Sequence, residues 1–415
     1  MAASYETLEK LFYKNASSTR QSDIAALAEA RRSADSSFRT GVDIATGELF
    51  VAVPRELTLL QESVYAFERK ISAAWDALPA IARWSYVRDL IMDEIVCTNE
   101  MEGVHSSRRE IKEALDSIDA ARNGAGAKKR FQELASLYLA LTSDECAFPQ
   151  TPADIRRVYD QVVAGELAEE DAPDGRWFRA SGVDVKGASQ KVLHRGIEPE
   201  AAIVDMMQCM LRLVDSSEMP ALFSVLLSHF VFEYTHPFYD GNGRTGRYLL
   251  ALYLGRVLCV PTVLSLSQAI AENKAAYYRA FDMTEKALNH AEATHFVLAM
   301  MRLLRDAQDR LLANLELRRA VLDESFSLVE GCEIVPEAHL RQIVRQLIQV
   351  EVFEHAPVTL KQAAAHVGAT EQTARKYLAA LEARGLVRVV AKRPLAFALT
   401  TDALARFAPT YEVAL

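Results

Sequence analysis

The run His236-Pro237-Phe238-Tyr239-Asp240-Gly241-Asn242-Gly243-Arg244-Thr245-Gly246-Arg247 separates the apolar stretch Ala221 to Tyr234 from a second apolar stretch that opens at Tyr248. The run reads as helix, loop, helix. Pro237 cannot continue a helix and pushes the residue before it out of helical geometry, so the first helix is predicted to end just before His236. Gly241 and Gly243 let the backbone come close to a ligand. The chain then re-enters a helix at about Arg244, where free N–H groups and the positive end of the macrodipole favour an anion such as phosphate. Arg244 and Arg247 lie three apart on one helical face, suited to forked contacts with phosphate oxygens. Asp240 adds a hard oxygen ligand for Mg²⁺.

Each residue also has an ordinary reading. A lone histidine beside an apolar helix usually satisfies a cap or a core contact, and Asp-Gly-Asn-Gly is a common turn. An EF-hand loop starting at Asp240 would need glycine sixth and glutamate twelfth, where Thr245 and Ala251 stand. A Walker A or dinucleotide motif would need Gly-Lys-Ser/Thr or a preceding strand, and neither is present.

Taken together, the run resembles the signature of the Fic family, HPF-x-(D/E)-G-N-G-R-x-x-R, and matches it at every specified position. The resemblance implies a mainly α fold: a Fic-type helical bundle with a small β-hairpin flap. It also implies an enzyme that splits a nucleoside triphosphate and moves one piece, most often AMP from ATP, onto a hydroxyl side chain of a target protein. On the matching positions, His236 becomes the general base, Asp240 the holder of Mg²⁺ (or Mn²⁺), and Gly241, Asn242 and Gly243 the anion hole. Arg244 and Arg247 grip the outer phosphates, while Phe238 packs inward and pins the loop. An unperturbed pKa near 6.5 suits His236 to accept a hydroxyl proton at neutral pH. The Doc branch, kinase-like in outcome, departs from the signature within the cradle; retention of Gly241 here favours AMP transfer. Removal of AMP from an already modified protein uses the same residues in some members and stays open.

Upstream, Thr98-Asn99-Glu100-Met101-Glu102-Gly103 sets a hydroxyl and a carboxylate four apart, one above the other on a helix that Gly103 would terminate. The segment resembles the family's inhibitory motif, (S/T)-x-x-x-E-(G/N), in the variety placed before the catalytic core. The resemblance implies that Glu102 pairs with Arg247 and takes the γ-phosphate site, with Thr98 anchoring the helix.

Composition bounds these readings. With 415 residues, half of them apolar, the chain is long enough for two or three domains with sizeable cores. Its 47 basic residues against 56 acidic ones, a net −9, argue against a general nucleic-acid or membrane-surface binder. Five widely spaced cysteines in apolar surroundings read as buried free thiols of a reducing compartment. Met1 to Ser18 lacks a basic start followed by an apolar stretch, and Tyr248 to Leu266 is interrupted by Gly255, Arg256 and Pro261. A cytoplasmic protein with no membrane span is expected.

Apolar residues recur at helical spacing through most of the chain. Three regions are expected: 1–125, helical and carrying the inhibitory segment; 126–310, the signature-bearing core; and 311–415, a linker helix and tail. The first contains a turn-rich stretch from Gly41 to Val53 and helices over Leu57 to Ala77 and Ile81 to Glu100. Asn123 to Lys129 reads as a linker, and Ala293 to Leu322 as a long charged helix. Between Arg179 and Leu193 the pattern alternates around the turn residues Gly187-Ala188-Ser189, which predicts a β-hairpin. In the Fic family a hairpin flap aligns an extended stretch of target by strand addition. His194, at its end, reads as solvated surface.

From Val358 the chain reads as a winged helix: a helix opening at Thr359, a turn at Val367 to Ala369, a second helix from Thr370 to Arg384, Gly385, and a hairpin from Leu386 to Leu399. Between Thr359 and Arg393 seven basic residues face two acidic ones, 7 − 2 = +5, against the acidic balance of the whole chain. Thr373, Arg375 and Lys376 are expected to be exposed at the start of the second helix. The tail resembles helix-turn-helix readers of duplex DNA, with a protein-interaction or dimerisation wing as the other reading. A DNA-binding regulator with a nucleotide-sensing core is the competing function. The remaining expected partners are the target protein along the flap, the chain itself as a modification substrate, and a second copy in a homodimer.

Overall fold

The structure, a computed structural model, describes residues 5–121, 129–143, 146–186 and 192–411. All of the expected linker but Lys129 lies outside the described residues, as do the expected hairpin turn residues Gly187 to Ser189. The described residues are mainly helical with three small sheets. Contacts divide the chain into two units, Met1–Glu68 with Ile91–Gln308, and Arg69–Leu90 with Asp309–Leu415.

In the first unit the core is the helix pair flanking the signature. Ala221–Thr235 is apolar all round and almost wholly buried, and all thirteen residues of Asn242–Leu254 are buried, as expected of helices with no solvent face. Glu200–Val214 packs on the first of these helices. Pro152–Val162 packs on the second. Its start is fixed by a capping box between Thr151 and Asp154, with Pro152 in the first turn. That places Ile155, Tyr159 and Val162 inward.

The stretch expected to be turn-rich is instead an antiparallel hairpin, β1 (Ser37–Ile44) and β2 (Gly47–Ala52). The buried run Leu49-Phe50-Val51 explains this: a strand buried on both faces has no alternation to read. The expected boundary near residue 125 falls inside the first unit because early segments bond to late ones. Phe50 N donates to the Ala291 carbonyl at 3.3 Å and Ala293 N to the Phe50 carbonyl at 2.8 Å. Glu9 N donates to Asn289 Oδ1 at 2.8 Å. In the second hairpin β3 (Asp184–Lys186) begins five residues after the expected Arg179 and pairs with β4 (Val192–Arg195) in the register Asp184↔Arg195 and Val185↔His194.

The second unit holds the tail. After the helix Ala338–Glu354 come β5 (Val358–Thr359), helices Leu360–His366 and Glu371–Ala383, then β6 (Val387–Lys392) and β7 (Leu395–Leu399) in an antiparallel sheet of order β5-β7-β6. Thr359 and Thr370 cap the two short helices, and Gly385, at φ 71°, ends the second as a left-handed residue. The long charged helix runs Thr294–Glu330, eight residues past its expected end.

No helix among the described residues is long and apolar enough to cross a membrane. The five cysteines are free, but each is half-buried where burial was expected, with part of each side chain left to solvent.

Candidate active site

His236 terminates its helix in the left-handed region, φ 51° and ψ 62°, and donates its N–H to the Phe232 carbonyl at 3.0 Å. The helix ends there because Pro237 offers no N–H to the next turn. The carbonyls left over at this end are taken by two other side chains. Arg179, wholly buried, donates from Nε to the His236 carbonyl at 2.8 Å and from NH2 to the carbonyls of Ile197 at 2.7 Å and Thr235 at 3.3 Å. Its NH1 reaches the Ser181 carbonyl at 2.6 Å, and its N–H reaches the Pro237 carbonyl at 3.2 Å. His194 Nε2 lies 2.6 Å from the Tyr234 carbonyl.

Neither role was legible in the sequence. Arg179 looked like the first residue of a strand, and its one signal is a charge set directly after Trp177 and Phe178. His194, expected at the surface, is only 14% exposed because its ring is held between that carbonyl and Glu285 Oε2, 2.7 Å from Nδ1.

Phe238 turns inward as expected, stacked on Tyr159 at 3.6 Å and edge-on to Phe178 at 5.5 Å. Asn242 closes the loop on itself. Its Nδ2 donates to the Phe238 carbonyl at 2.8 Å, and its Oδ1 accepts from Phe238 N at 2.9 Å. The Asn242 side chain is thereby spent on loop shape, which leaves its backbone N–H for an anion.

The signature helix opens at Asn242, two residues earlier than expected, because Gly241 takes a left-handed cap at φ 75°. Its first backbone bond runs from Thr245 N to the Gly241 carbonyl, so the N–H groups of Asn242, Gly243 and Arg244 precede the ladder. A Cβ on Gly243 would collide with Glu102 Oε1, so the glycine makes room for that carboxylate at the helix start.

Glu102 follows the helix Ala80–Met101 in a tight turn in which its N–H donates to the Asn99 carbonyl at 3.0 Å, with Gly103 left-handed at φ 72°. Lys274 Nζ holds the Met101 carbonyl at 3.0 Å. Arg247 joins this segment to the signature helix: Nε donates to Thr98 Oγ1 at 2.8 Å, and NH2 donates to the Thr98 carbonyl at 3.0 Å and to Glu102 Oε1 at 2.7 Å. Arg244 is equally buried, yet its Nε and NH1 have no partner among the described residues, and NH2 lies 3.8 Å from Asp240 Oδ2. The Asp240 side chain is 47% exposed.

These charges set the protonation states. Burial raises the Glu102 carboxyl, but Arg247, and then Arg244 and His236, hold it below the ordinary carboxylate value, so it is ionised at neutral pH. Burial, followed by the charges of His194 and Arg179, pushes the His236 imidazole down to about 4, leaving it a neutral acceptor. Burial raises Glu233 to about 7, with Glu102 adding to the rise and Arg247 opposing it. This glutamate, whose Oε1 is buried without a partner among the described residues, had no sequence signal of its own. Among the described residues no group of three or more His, Cys, Asp or Glu side chains could hold a metal ion.

In the tail, Arg375 and Lys376 are exposed as expected, whereas Thr373 is half-buried, its N–H donating to Thr370 Oγ1 at 3.2 Å. Arg384, one of the seven basic residues, is paired through both guanidinium nitrogens with Glu337, at 2.9 and 2.8 Å.

Residues 149–254 match the Fic/DOC family, a span that holds the hairpin and the signature but leaves Thr98 to Gly103 outside. The crystal structure of a Fic family protein from Desulfovibrio desulfuricans G20 shares the fold at a TM-score of 0.52 and 18% identity, covering 84% of this chain and 97% of that one. A Fic domain containing signaling protein from Bacteroides thetaiotaomicron VPI-5482 aligns at a TM-score of 0.43 and 16% identity, over 61% of this chain and 95% of that one.

Proposed function

The chain belongs to the Fic/DOC family through residues 149–254, and from that premise we propose that it is a Mg²⁺-dependent protein adenylyltransferase held off by its own Glu102. The observation that carries this reading is the carboxylate lodged against Gly243 at the start of the signature helix and paired with Arg247, beside the unpartnered guanidinium nitrogens of Arg244. A site that already holds one anion among unsatisfied N–H donors is suited to phosphate oxygens.

In this reading His236 accepts the proton of the target hydroxyl as its oxygen attacks the α-phosphorus of ATP and pyrophosphate departs. Arg244 and Arg247 bind the outer phosphates, and the N–H groups at the helix start neutralise developing charge. Asp240 suits Mg²⁺, since its carboxylate is half-exposed and this ion is commonly held by one or two carboxylates plus substrate phosphates. When bound, the ion would neutralise charge on the phosphates. The target lies along β3–β4 by strand addition.

Incubation with Mg²⁺, cell lysate and ATP labelled at either the α- or the γ-phosphate tests the reading. Label carried into protein from α-ATP alone is the expected outcome. Label from γ-ATP alone would make the enzyme a kinase-like variant, and label from neither would shift weight to AMP removal or to a regulator.

A second reading concerns the tail, which we take as a winged helix that contacts duplex DNA. The succession of two capped helices and a β5-β7-β6 sheet supports it, as do exposed Arg375 and Lys376. With Arg384 engaged by Glu337, we expect binding weak enough to vanish on raising salt from about 50 to about 200 mM. No binding of full-length protein to duplex at low salt would leave the wing as a protein-contact surface.

A further inference from the structure

We infer that His194 is a positioning residue: it latches the β3–β4 hairpin to the carbonyl end of the helix that carries His236, and it does so only while both its ring nitrogens carry protons. Its consequence for turnover rests on the transferase reading; the latch itself does not.

The geometry demands the two protons. His194 stands on β4 opposite Val185, with Nδ1 2.7 Å from Glu285 Oε2 and Nε2 2.6 Å from the Tyr234 carbonyl oxygen. Both partners accept hydrogen bonds and neither donates. A neutral imidazole has one N–H, so one of the two contacts would set lone pair against lone pair. Only the imidazolium satisfies both.

The setting favours a cation for a second reason. Tyr234 lies in the last turn of Ala221–Thr235, and Glu285 is the final residue of Lys274–Glu285, so two helices turn their negative ends toward this ring. The other charges nearby do not replace it. Arg195 is paired with Asp184 within the hairpin, and Lys286 is paired with Glu9 and Asp282. Arg179, spent on carbonyls, opposes a second positive charge, as does any charge on His236. On the β1–β2 side, among the described residues, the groups beside it are neutral: the Tyr234 hydroxyl accepts from Ala45 N at 2.9 Å, and Thr46 Oγ1 is buried with no partner among those residues.

Burial pulls the His194 imidazole down, but the Glu285 hydrogen bond and charge together with the Tyr234 carbonyl outweigh it, so the ring titrates above its ordinary value. A raised folded value means the latch is intact at low pH and is lost as pH rises through that value. A cavity of about 260 Å³ beside the ring, bounded by Ala45, Thr46 and Glu285, gives water a way to solvate the carboxylate once the proton leaves. The strand that would receive the target then loses its tie to the catalytic loop.

The test uses full-length protein in three forms: parent, His194→Arg, which keeps a cation at all pH, and Glu285→Gln, whose amide can donate to a neutral Nδ1. Imidazole ¹⁵N NMR and amide hydrogen exchange of Val192 to Arg195 are followed from about pH 5 to about pH 9, with exchange corrected for its intrinsic pH dependence. The expected result for the parent is a His194 midpoint above the ordinary 6.5, with β4 protection falling roughly tenfold as pH rises through it. Protection stays level in both variants. A midpoint at or below 6.5, or the same pH profile in the parent and in His194→Arg, overturns the inference.

These readouts need neither nucleotide nor target. A titrating latch in a protein that transfers no label would therefore count against the transferase reading alone. Where label is transferred, kcat/KM for the protein target should fall along the same midpoint in the parent and lose that limb in His194→Arg.

Discussion

Glu102→Gly protein supplied with Mg²⁺ and α-labelled ATP is expected to label target protein on the order of a hundredfold faster than the parent, which corresponds to about 2.7 kcal/mol removed from the competition for the cradle. In the parent, Glu102 Oε1 sits 2.7 Å from Arg247 NH2 and against Gly243, so an incoming phosphate must displace a charge-assisted bond to a fully buried guanidinium, the carboxylate itself being 22% exposed. Glycine removes the competitor without disturbing the anchor, since Arg247 keeps Thr98 Oγ1 and the Thr98 carbonyl. Glu102→Gln should fall between the two, retaining shape but not charge.

Stability should move in the opposite direction. Without nucleotide, Glu102→Gly melts below the parent, because a buried guanidinium has lost its carboxylate; saturating ATP then raises its melting temperature more than the parent's. A carboxyl held below its ordinary value contributes stability that is present at neutral pH and lost as pH falls through that lowered value, so acid should loosen the plug and alkali should not. Equal labelling rates from two folded proteins would remove Glu102 from this role.

How far the sequence led depends on the kind of information each residue carries. The signature loop was readable because its constraints are local: Pro237 stops one helix, Gly241 opens the next in a left-handed cap, and Phe238 turns inward. The tail was readable for the same reason, with Thr359, Thr370 and Gly385 marking element ends where they stand. Long-range partners left no local trace. Arg179 serves the His236 carbonyl 57 residues away, and His194 meets Glu285 across 91. The β1–β2 hairpin was missed because Leu49, Phe50 and Val51 are buried together, which erases the period of two. The segment Thr98 to Gly103 needed a second piece: four-residue spacing predicts a shared helical face, but the spacing alone does not bring Arg247 to it.

His236→Ala should lower kcat for AMP transfer on the order of a thousandfold while leaving ATP affinity within about twofold, since general-base assistance is typically worth 10² to 10⁴. The separation is expected because the histidine and the proposed phosphate cradle are built by different elements. The imidazole sits at the end of Ala221–Thr235, whereas the N–H groups, Arg244 and Arg247 belong to Asn242–Leu254. The left-handed backbone at φ 51° adds strain to an alanine there, so His236→Asn, which tolerates that conformation better, serves as the second variant.

The pH profile tests the base assignment apart from the mutants. With the imidazole pushed down to about 4, the acceptor form prevails through the neutral range, and kcat should fall only as pH drops into the acid range. The phosphates of bound ATP, like Glu102 before them, draw that midpoint upward. Glu102→Gly without nucleotide should therefore show a lower His236 midpoint than the parent, and adding ATP should restore it. Loss of ATP binding together with transfer in both variants would mean instead that the histidine shapes the cradle, and the proton would have to be assigned to another acceptor.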